Sequence, residues 1–261
     1  MSSFAEGCLA GKSVLITGGL GAIGQAVIST LLSHGATVVA NDIVPVEDAN
    51  AVASRYDWPG SQYHYLQADV TKSDEVEKLL AATVKRTGNL DIVLCHAGIV
   101  LGCPILNYTE ADWDAIIDLN LKGSFLIAQA AARIMVGQKI SGKIIFTSSW
   151  VQDVPWPEIT PYTVTKSAMR TLMRGMAREL APQGIRVNAI APGIVGVGMA
   201  KWQWDTDPQY RRRAEKAIPL GKLQTSESVA NAILFLCSEA ADYMTGATLL
   251  VDGGCSLYPM D

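Results

Sequence analysis

From Ser13 to Asn41 the chain carries no Asp, Glu, Lys or Arg. A charge-free run of this length belongs either in a bilayer or in a protein interior. Glycine separates the two: Gly18, Gly19, Gly21 and Gly24 interrupt the run, and Gln25 and His34 lie beyond them. The pattern therefore predicts a buried strand "SVLITG", a tight turn, a buried helix from about Ile23 to Ser33 and a second strand "ATVVAND", in preference to a membrane span.

The alternation continues to the C-terminus. A helix is predicted around Asp48 to Arg55, a strand at "YHYLQADV", a helix from Ser73 to about Arg86 and a strand at "LDIVLCHAG". One long helix near Ala111 to Met135 precedes the strand "GKIIFTSS", and "YTVTKSAMRTLMRGMARELA" precedes "IRVNAIAPG". A polar stretch from Lys201 to Lys216 carries Trp202, Trp204 and "RRR" before a helix near Ser228 to Cys237 and the strand "ATLLVDGG". Apolar strands alternating with helices imply an α/β fold, a parallel sheet covered on both faces. No internal repeat, low-complexity segment or linker is visible, so residues 1–261 are expected to form one domain.

Composition narrows the function classes. The chain is 49% hydrophobic, enough for a large core and for subunit contacts. A net charge of -4 and a pI near 5.4 give no electrostatic footprint for a nucleic-acid partner. The five cysteines are odd in number and form no CxxC pair, which points to a reduced, cytoplasmic chain. The start "MSSFAEGCLAGK" has neither a basic region nor an apolar core, so no signal peptide is expected. His34, His64, His96 and the cysteines lack ligand spacing, so no metal site is expected.

Two constellations carry chemistry. The first is "TGGLGAIG", in which Gly19, Gly21 and Gly24 satisfy G-x-G-x-x-G between a strand and a helix. Such a turn lets the backbone approach a pyrophosphate, and the helix start offers N–H groups and a positive dipole end. Asp42, at the end of the second predicted strand, can accept both ribose hydroxyls of NAD and would repel the 2′-phosphate of NADP. The second is Tyr162 and Lys166, which share one face of a helix. A free tyrosine has a pKa of about 10, and a nearby ammonium favours the phenolate, so Tyr162 is a candidate acid/base. Ser148 and Ser149 end the preceding strand, where a hydroxyl can hold a substrate oxygen.

These residues, with Asp69-Val70, "HAG", "LNLKGSF", "RVNAIAPG" and the terminal "VDGG", resemble the short-chain dehydrogenase/reductases over nearly the whole chain. The resemblance implies a doubly wound (Rossmann) sheet of about seven parallel strands, an NAD cofactor and a homotetramer. It implies that Tyr162 is the acid/base, that Lys166 lowers its pKa and holds the nicotinamide ribose, and that Ser149 orients the reacting oxygen. Asn120 would anchor a water in a proton relay through Lys166. Gly18, Gly21, Ile23 and Gly24 would form the phosphate turn, while Asp69 and Val70 would contact adenine. Ala97 and Gly98 would line the cofactor, and Pro192, Gly193 and Val195 would flank the nicotinamide. His96 either contacts the adenosine ribose or fills the space beneath it.

Three departures from the family pattern stand out. The usual middle glycine of the phosphate turn falls at Ala22, with Gly21 one position earlier. The usual "NNAG" reads Cys95-His96-Ala97-Gly98, and a threonine common after "PG" is replaced by Val197.

Within the family, "SS…VPWP…Y" and the ending "DGGCSLYP" resemble glucose 1-dehydrogenases. Pro155 and Pro157 stiffen the loop and fix Trp156. Its indole either packs on a sugar face, with Gln152, Asp153 and Glu158 as hydroxyl partners, or serves as a core or subunit contact. The segment 196–218 reads as a lid or as a plain amphipathic helix. The function expected is hydride transfer between NAD and a sugar or polyol hydroxyl carbon. The alternatives are a ketone or 3-oxoacyl-type reductase with the same triad, and a catalytically silent cofactor-binding protein.

Overall fold

The computed structural model describes residues 4–257. The charge-free run forms β1 (Ser13–Thr17), a glycine turn, α1 (Ala22–Ser33) and β2 (Thr37–Asp42), and both strands are buried through their middles. Among the described residues no helix is long and apolar enough to cross a membrane. The chain continues through α2 (Val46–Arg55), β3 (Tyr63–Gln67), α3 (Ser73–Thr87) and β4 (Ile92–Cys95).

The single long helix expected next is interrupted. α4 (Glu110–Ile117) begins at a capping box in which Thr109 and Asp112 satisfy each other's backbone N–H groups. A π-helical turn, Asp118–Gly123, then leads into α5 (Ser124–Gln138). π-Turns of this kind cost regular hydrogen bonding and gather at functional sites. Asn120 sits in this one, fully buried. A Cβ on Gly123 would stand 3.1 Å from Val70 Cγ2, so the turn packs closely on the segment after β3.

β5 (Lys143–Thr147), α6 (Thr160–Leu180) and β6 (Arg186–Pro192) follow. The polar stretch is two helices, α7 (Gly198–Thr206) and α8 (Pro208–Ala217). They part at Asp207, whose carboxylate caps α8 by accepting from Gln209 and Tyr210 N–H groups. α9 (Ser226–Cys237) starts slightly earlier than expected because Thr225 caps it, and β7 (Thr248–Val251) completes the sheet.

All seven strands are parallel, in the order β3-β2-β1-β4-β5-β6-β7. Alternate residues serve opposite faces. Val14, Ile16, Val38 and Ala40 pack with Val27 and Leu31 of α1 and Ile233 and Leu234 of α9. Leu15, Val39, Val93 and Phe146 pack with Leu80 of α3, Ile127 of α5 and Met169 and Met173 of α6. The strand order reverses between β1 and β4. Loops leaving these two strands diverge, and a crevice opens beyond their carboxyl ends, where doubly wound sheets hold ligands.

Candidate active site

The crevice is a cleft of about 780 Å³, within the usual size range of ligand sites. Gly18, Gly21, Ala22 and Ile23 line it after β1, Asp42 after β2, Asp69 and Val70 after β3, and His96, Ala97 and Gly98 after β4. The turn at its base is built by close approach. Gly18 adopts φ +65°, and a Cβ there would stand 2.7 Å from Ala97 Cα. Gly24 is not among the residues that line the cleft; a Cβ on it would lie 2.6 Å from the Gly19 carbonyl oxygen, so glycine lets α1 sit directly on the turn. Gly21 is the N-cap of α1, and Ala22 is accepted as the first helical residue, its methyl at the cleft surface. No acidic side chain occupies the first turn of α1, so its positive dipole end is uncompensated.

Asp42 is fixed at the cleft edge. Its Oδ2 accepts from Leu20 N–H at 3.1 Å and its Oδ1 from Ile43 N–H at 2.8 Å, which leaves lone pairs on both oxygens for further donors. Asp69 Oδ1 accepts from the Thr71 N–H and hydroxyl, and so shapes the wall that Val70 shares. These residues fit a dinucleotide: an open glycine turn, a bare helix N-terminus and a carboxylate beyond them.

A second cavity, of about 240 Å³, joins the cleft at Ile23, Val100 and Val197, which line both. Ser149 and Tyr162 line it together. Ser149 follows β5 and caps a short 3₁₀ turn, accepting from Val151 N–H at 3.4 Å. Tyr162 lies in the first turn of α6, which Pro161 opens. Burial pushes the Tyr162 phenol up to about 12, while a hydrogen bond with the Ser149 hydroxyl pulls it back. The rest of the wall is mostly apolar, including Trp150, Val151, Ile159, Ile194 and Met199, with Trp156 from the loop and Tyr210 from α8. Glu158 and Gln203 are the polar exceptions. Gly193 and Val195 line this cavity, and Pro192 ends β6 behind them.

Lys166 and Asn120 lie beneath the junction of cleft and cavity. Lys166 is buried; its Nζ donates to the Thr147 carbonyl at 2.7 Å and stands 5.2 Å from the Tyr162 ring centroid. A Cβ on Gly98 would come within 3.8 Å of that Nζ and 3.1 Å of Asn120 Oδ1, so both groups sit just under the cleft floor. Burial, which raises the Tyr162 phenol, also brings Lys166 itself down to about 8. Asn120 spends its amide on a neighbouring loop: Oδ1 accepts from Ile99 N–H at 2.8 Å and Nδ2 donates to the Ile99 carbonyl at 2.9 Å.

The side chains around Ser149 and beneath the cleft are turned as follows. Gln152 is turned inward, accepting from the Ser148 hydroxyl at 2.8 Å and donating to Asp153. Asp153 pairs with Arg170, so neither side chain reaches the cavity. Ser148 is likewise a brace, leaving Ser149 as the cavity-facing serine. His96 lines the cleft while its Nδ1 hydrogen-bonds Thr147 Oγ1 at 3.0 Å. Burial, with Lys166 close by, holds the imidazole down to about 4, so it is neutral at ordinary pH.

Three bracing residues had no distinct signal in the sequence. Thr17 Oγ1 accepts from the His96 and Ala97 N–H groups at 3.0 and 3.1 Å, fixing the loop after β4. Thr147 serves His96 with its hydroxyl and Lys166 with its carbonyl. Gln224 Oε1 accepts from Gly193 N–H at 2.9 Å. Thr17 opens the glycine motif and Thr147 stands beside the serine pair, but neither was marked out by it; Gln224 lies outside every motif.

A doubly wound sheet with this cleft and a Ser-Tyr-Lys set beneath it defines a dinucleotide-linked oxidoreductase. A family model described as Enoyl-(Acyl carrier protein) reductase matches residues 19–256. The chain is 36% identical over 251 residues to 3beta-hydroxysteroid dehydrogenase 1 of Eggerthella lenta, covering 96% of each. It is 34% identical to glucose 1-dehydrogenase of Gluconobacter oxydans, covering 95% of this chain and 93% of that one. To the 3-oxoacyl-(acyl-carrier-protein) reductase FabG of Thermotoga maritima it is 35% identical, covering 94% and 98%. The crystal structure of a short-chain type dehydrogenase/reductase from Mycobacterium marinum superposes with a TM-score of 0.89 at 34% identity, over 95% of this chain and 97% of that one. The chain belongs to the short-chain dehydrogenase/reductase family, enzymes that act on CH–OH groups with a nicotinamide cofactor.

Proposed function

We propose that the chain is an NAD-dependent dehydrogenase for a secondary hydroxyl on a largely apolar alcohol, also acting on the corresponding ketone. The observation that carries this reading is the placing of Ser149 and Tyr162 in one cavity whose wall is otherwise mostly apolar. An apolar wall rewards burial of hydrocarbon and leaves few partners for extra hydroxyls. NAD, when bound, supplies the hydride acceptor. The chain's own residues manage the oxygen and its proton: Ser149 holds the oxygen by a hydrogen bond, and Tyr162 takes the proton in oxidation and returns it in reduction. Lys166 keeps positive charge close to the phenolate as it forms, and its place under the cleft floor suits a bond to the nicotinamide ribose. Asn120 holds the loop at Ile99 against this lysine; a relay water would have to use its main chain. Asp42 supports NAD over NADP through charge.

A sugar or polyol is the second reading. It is favoured by Trp156, which lines the cavity beside Glu158 and Gln203. It is weakened by Gln152 and Asp153, which turn away. A panel of cyclohexanol, a 3β-hydroxysteroid and D-glucose with NAD⁺ and NADP⁺, and a 3-oxoacyl thioester with NADH, separates these readings. Turnover of glucose alone would sink the apolar-alcohol reading. NADH binding with no turnover anywhere would favour a silent cofactor-binding protein.

The segment 196–218 suits a lid, because Val197, Met199, Gln203 and Tyr210 line the cavity from α7, α8 and the turn before them. A cytoplasmic homotetramer is part of the same reading. Its support is an apolar groove between α5 and α6, lined by Phe125, Val136, Leu172 and Met176. The ending "CSLYPMD" adds an aromatic residue that suits docking on a neighbour, Tyr258, which lies outside the described residues.

A further inference from the structure

Two loops form one rim of the cavity that holds Ser149 and Tyr162. The loop after β4 contributes Val100 and Gly102; the loop before α6 contributes Trp156, Pro157, Glu158 and Ile159. Tyr108 lines neither wall, yet its hydroxyl lies against both loops. It faces the carbonyl oxygen of Leu101, between the two cavity-lining residues of the first loop. It also lies 2.8 Å from the carbonyl oxygen of Glu158 in the second. That same Glu158 oxygen accepts from Cys103 N–H at 2.7 Å.

Glu158 has φ +68°, a left-handed conformation that a side chain of this kind rarely adopts unless its surroundings impose it. Here two donors from outside its own loop, the Tyr108 hydroxyl and the Cys103 N–H, converge on its carbonyl. Tyr108 is itself anchored: it ends the 3₁₀ turn Ile105–Asn107, and the next residue, Thr109, caps α4. A hydroxyl next to a fixed helix start thus reaches both loops at the point where the Cys103 N–H already joins them.

We propose that Tyr108 is a positioning residue for the substrate, its one phenolic proton, shared between the Leu101 and Glu158 carbonyls, reinforcing the Cys103 bond between the two loops and so setting the width of the cavity rim at Trp156. The proposal rests on reading this cavity as the substrate site. Tyr108 lines neither the cofactor cleft nor the cavity and hydrogen-bonds neither Ser149 nor Tyr162, so its effect falls on substrate binding and spares the chemical step.

The test is Tyr108→Phe, which keeps the ring and removes only the proton. With NAD⁺ and whichever of cyclohexanol, a 3β-hydroxysteroid or D-glucose the parent enzyme oxidises fastest, KM rises about fivefold while kcat changes less than about twofold. NADH affinity is unchanged. Independently of turnover, the Cys103 amide exchanges its hydrogen about fivefold faster, while amides of β5 keep the parent rate. An unchanged KM overturns the proposal even if Cys103 exchanges faster, since the bridge is then structural only. So does a parallel loss of kcat, NADH affinity and core protection. Tyr162→Phe is run beside it. If that variant is inactive and Tyr108→Phe keeps the parent KM, only the bridge fails; if Tyr162→Phe turns over like the parent, the site reading itself fails and takes the bridge with it.

Discussion

Lys166 Nζ stands 5.2 Å from the centre of the Tyr162 ring and spends a hydrogen bond on the Thr147 carbonyl at 2.7 Å. The ammonium therefore lies over the ring and makes no direct bond to the phenolic oxygen. Burial raises Tyr162 to about 12 and lowers Lys166 to about 8. Both groups are thus biased toward their neutral forms, and a charge on one relieves the cost of a charge on the other.

Tyr162→Phe keeps the ring in its packing and removes the proton carrier. Its kcat should fall at least about a hundredfold, while NADH affinity, read by fluorescence titration, stays near the parent value. Lys166→Ala should lower both, because the ammonium supports the phenolate and lies under the cleft floor. Parent-like turnover in Tyr162→Phe would remove the proton-transfer role assigned to this residue.

Asp42 should make the enzyme prefer NAD⁺. Its carboxylate is held in place by the Leu20 and Ile43 N–H groups, so it cannot easily swing away from a 2′-phosphate. The repulsion should cost on the order of 1 to 3 kcal/mol, and Asp42→Ala should narrow the NAD⁺:NADP⁺ ratio of kcat/KM about tenfold or more. A parent enzyme with higher kcat/KM for NADP⁺ contradicts the assignment.

His96 should make the fold acid-sensitive. Its imidazole titrates near 4 in the folded chain against an ordinary value of 6.5. Between those values the unfolded chain binds a proton that the folded chain refuses. The stabilisation is whole above about pH 6.5 and is lost as pH falls through about 4, a loss of order 1 to 3 kcal/mol. His96→Asn, which restores the residue usual in the family, should flatten this limb in urea melts run from pH 7 to 4. An equally steep limb in the variant would assign the effect to carboxylates elsewhere.

Trp156→Ala separates the two readings of the Pro-Trp-Pro loop. The indole lines the cavity and packs edge-on against Trp150 and Tyr210, with the Arg213 guanidinium 5.7 Å from its ring. Substrate KM should rise about tenfold, with NADH affinity and the mass by light scattering unchanged. Dissociation of the oligomer with a normal KM would make the loop an assembly element instead.

The sequence by itself determined the architecture and the chemistry-bearing set. Strands that alternate apolar runs with glycine turns specify a parallel sheet, because every strand must be buried on both faces. The spacing of Tyr162 and Lys166 on one helix and the glycines of the first turn are local features, readable without a fold. What only the tertiary structure decided is direction. Ser148 looked equivalent to Ser149 in the sequence, but the 3₁₀ turn after β5 sends Ser148 toward Gln152 and Ser149 to the cavity. Burial of Tyr162, a property of packing from distant segments, raises its pKa, and no local feature of the sequence shows that. Tyr108 carries no motif, and the motifs beside Thr17 and Thr147 do not show what their hydroxyls bind. Their hydroxyls matter because the sheet order and the start of α4 bring them to backbone groups far away in the chain, and hydrogen bonds of that kind exist only once the chain has closed around them.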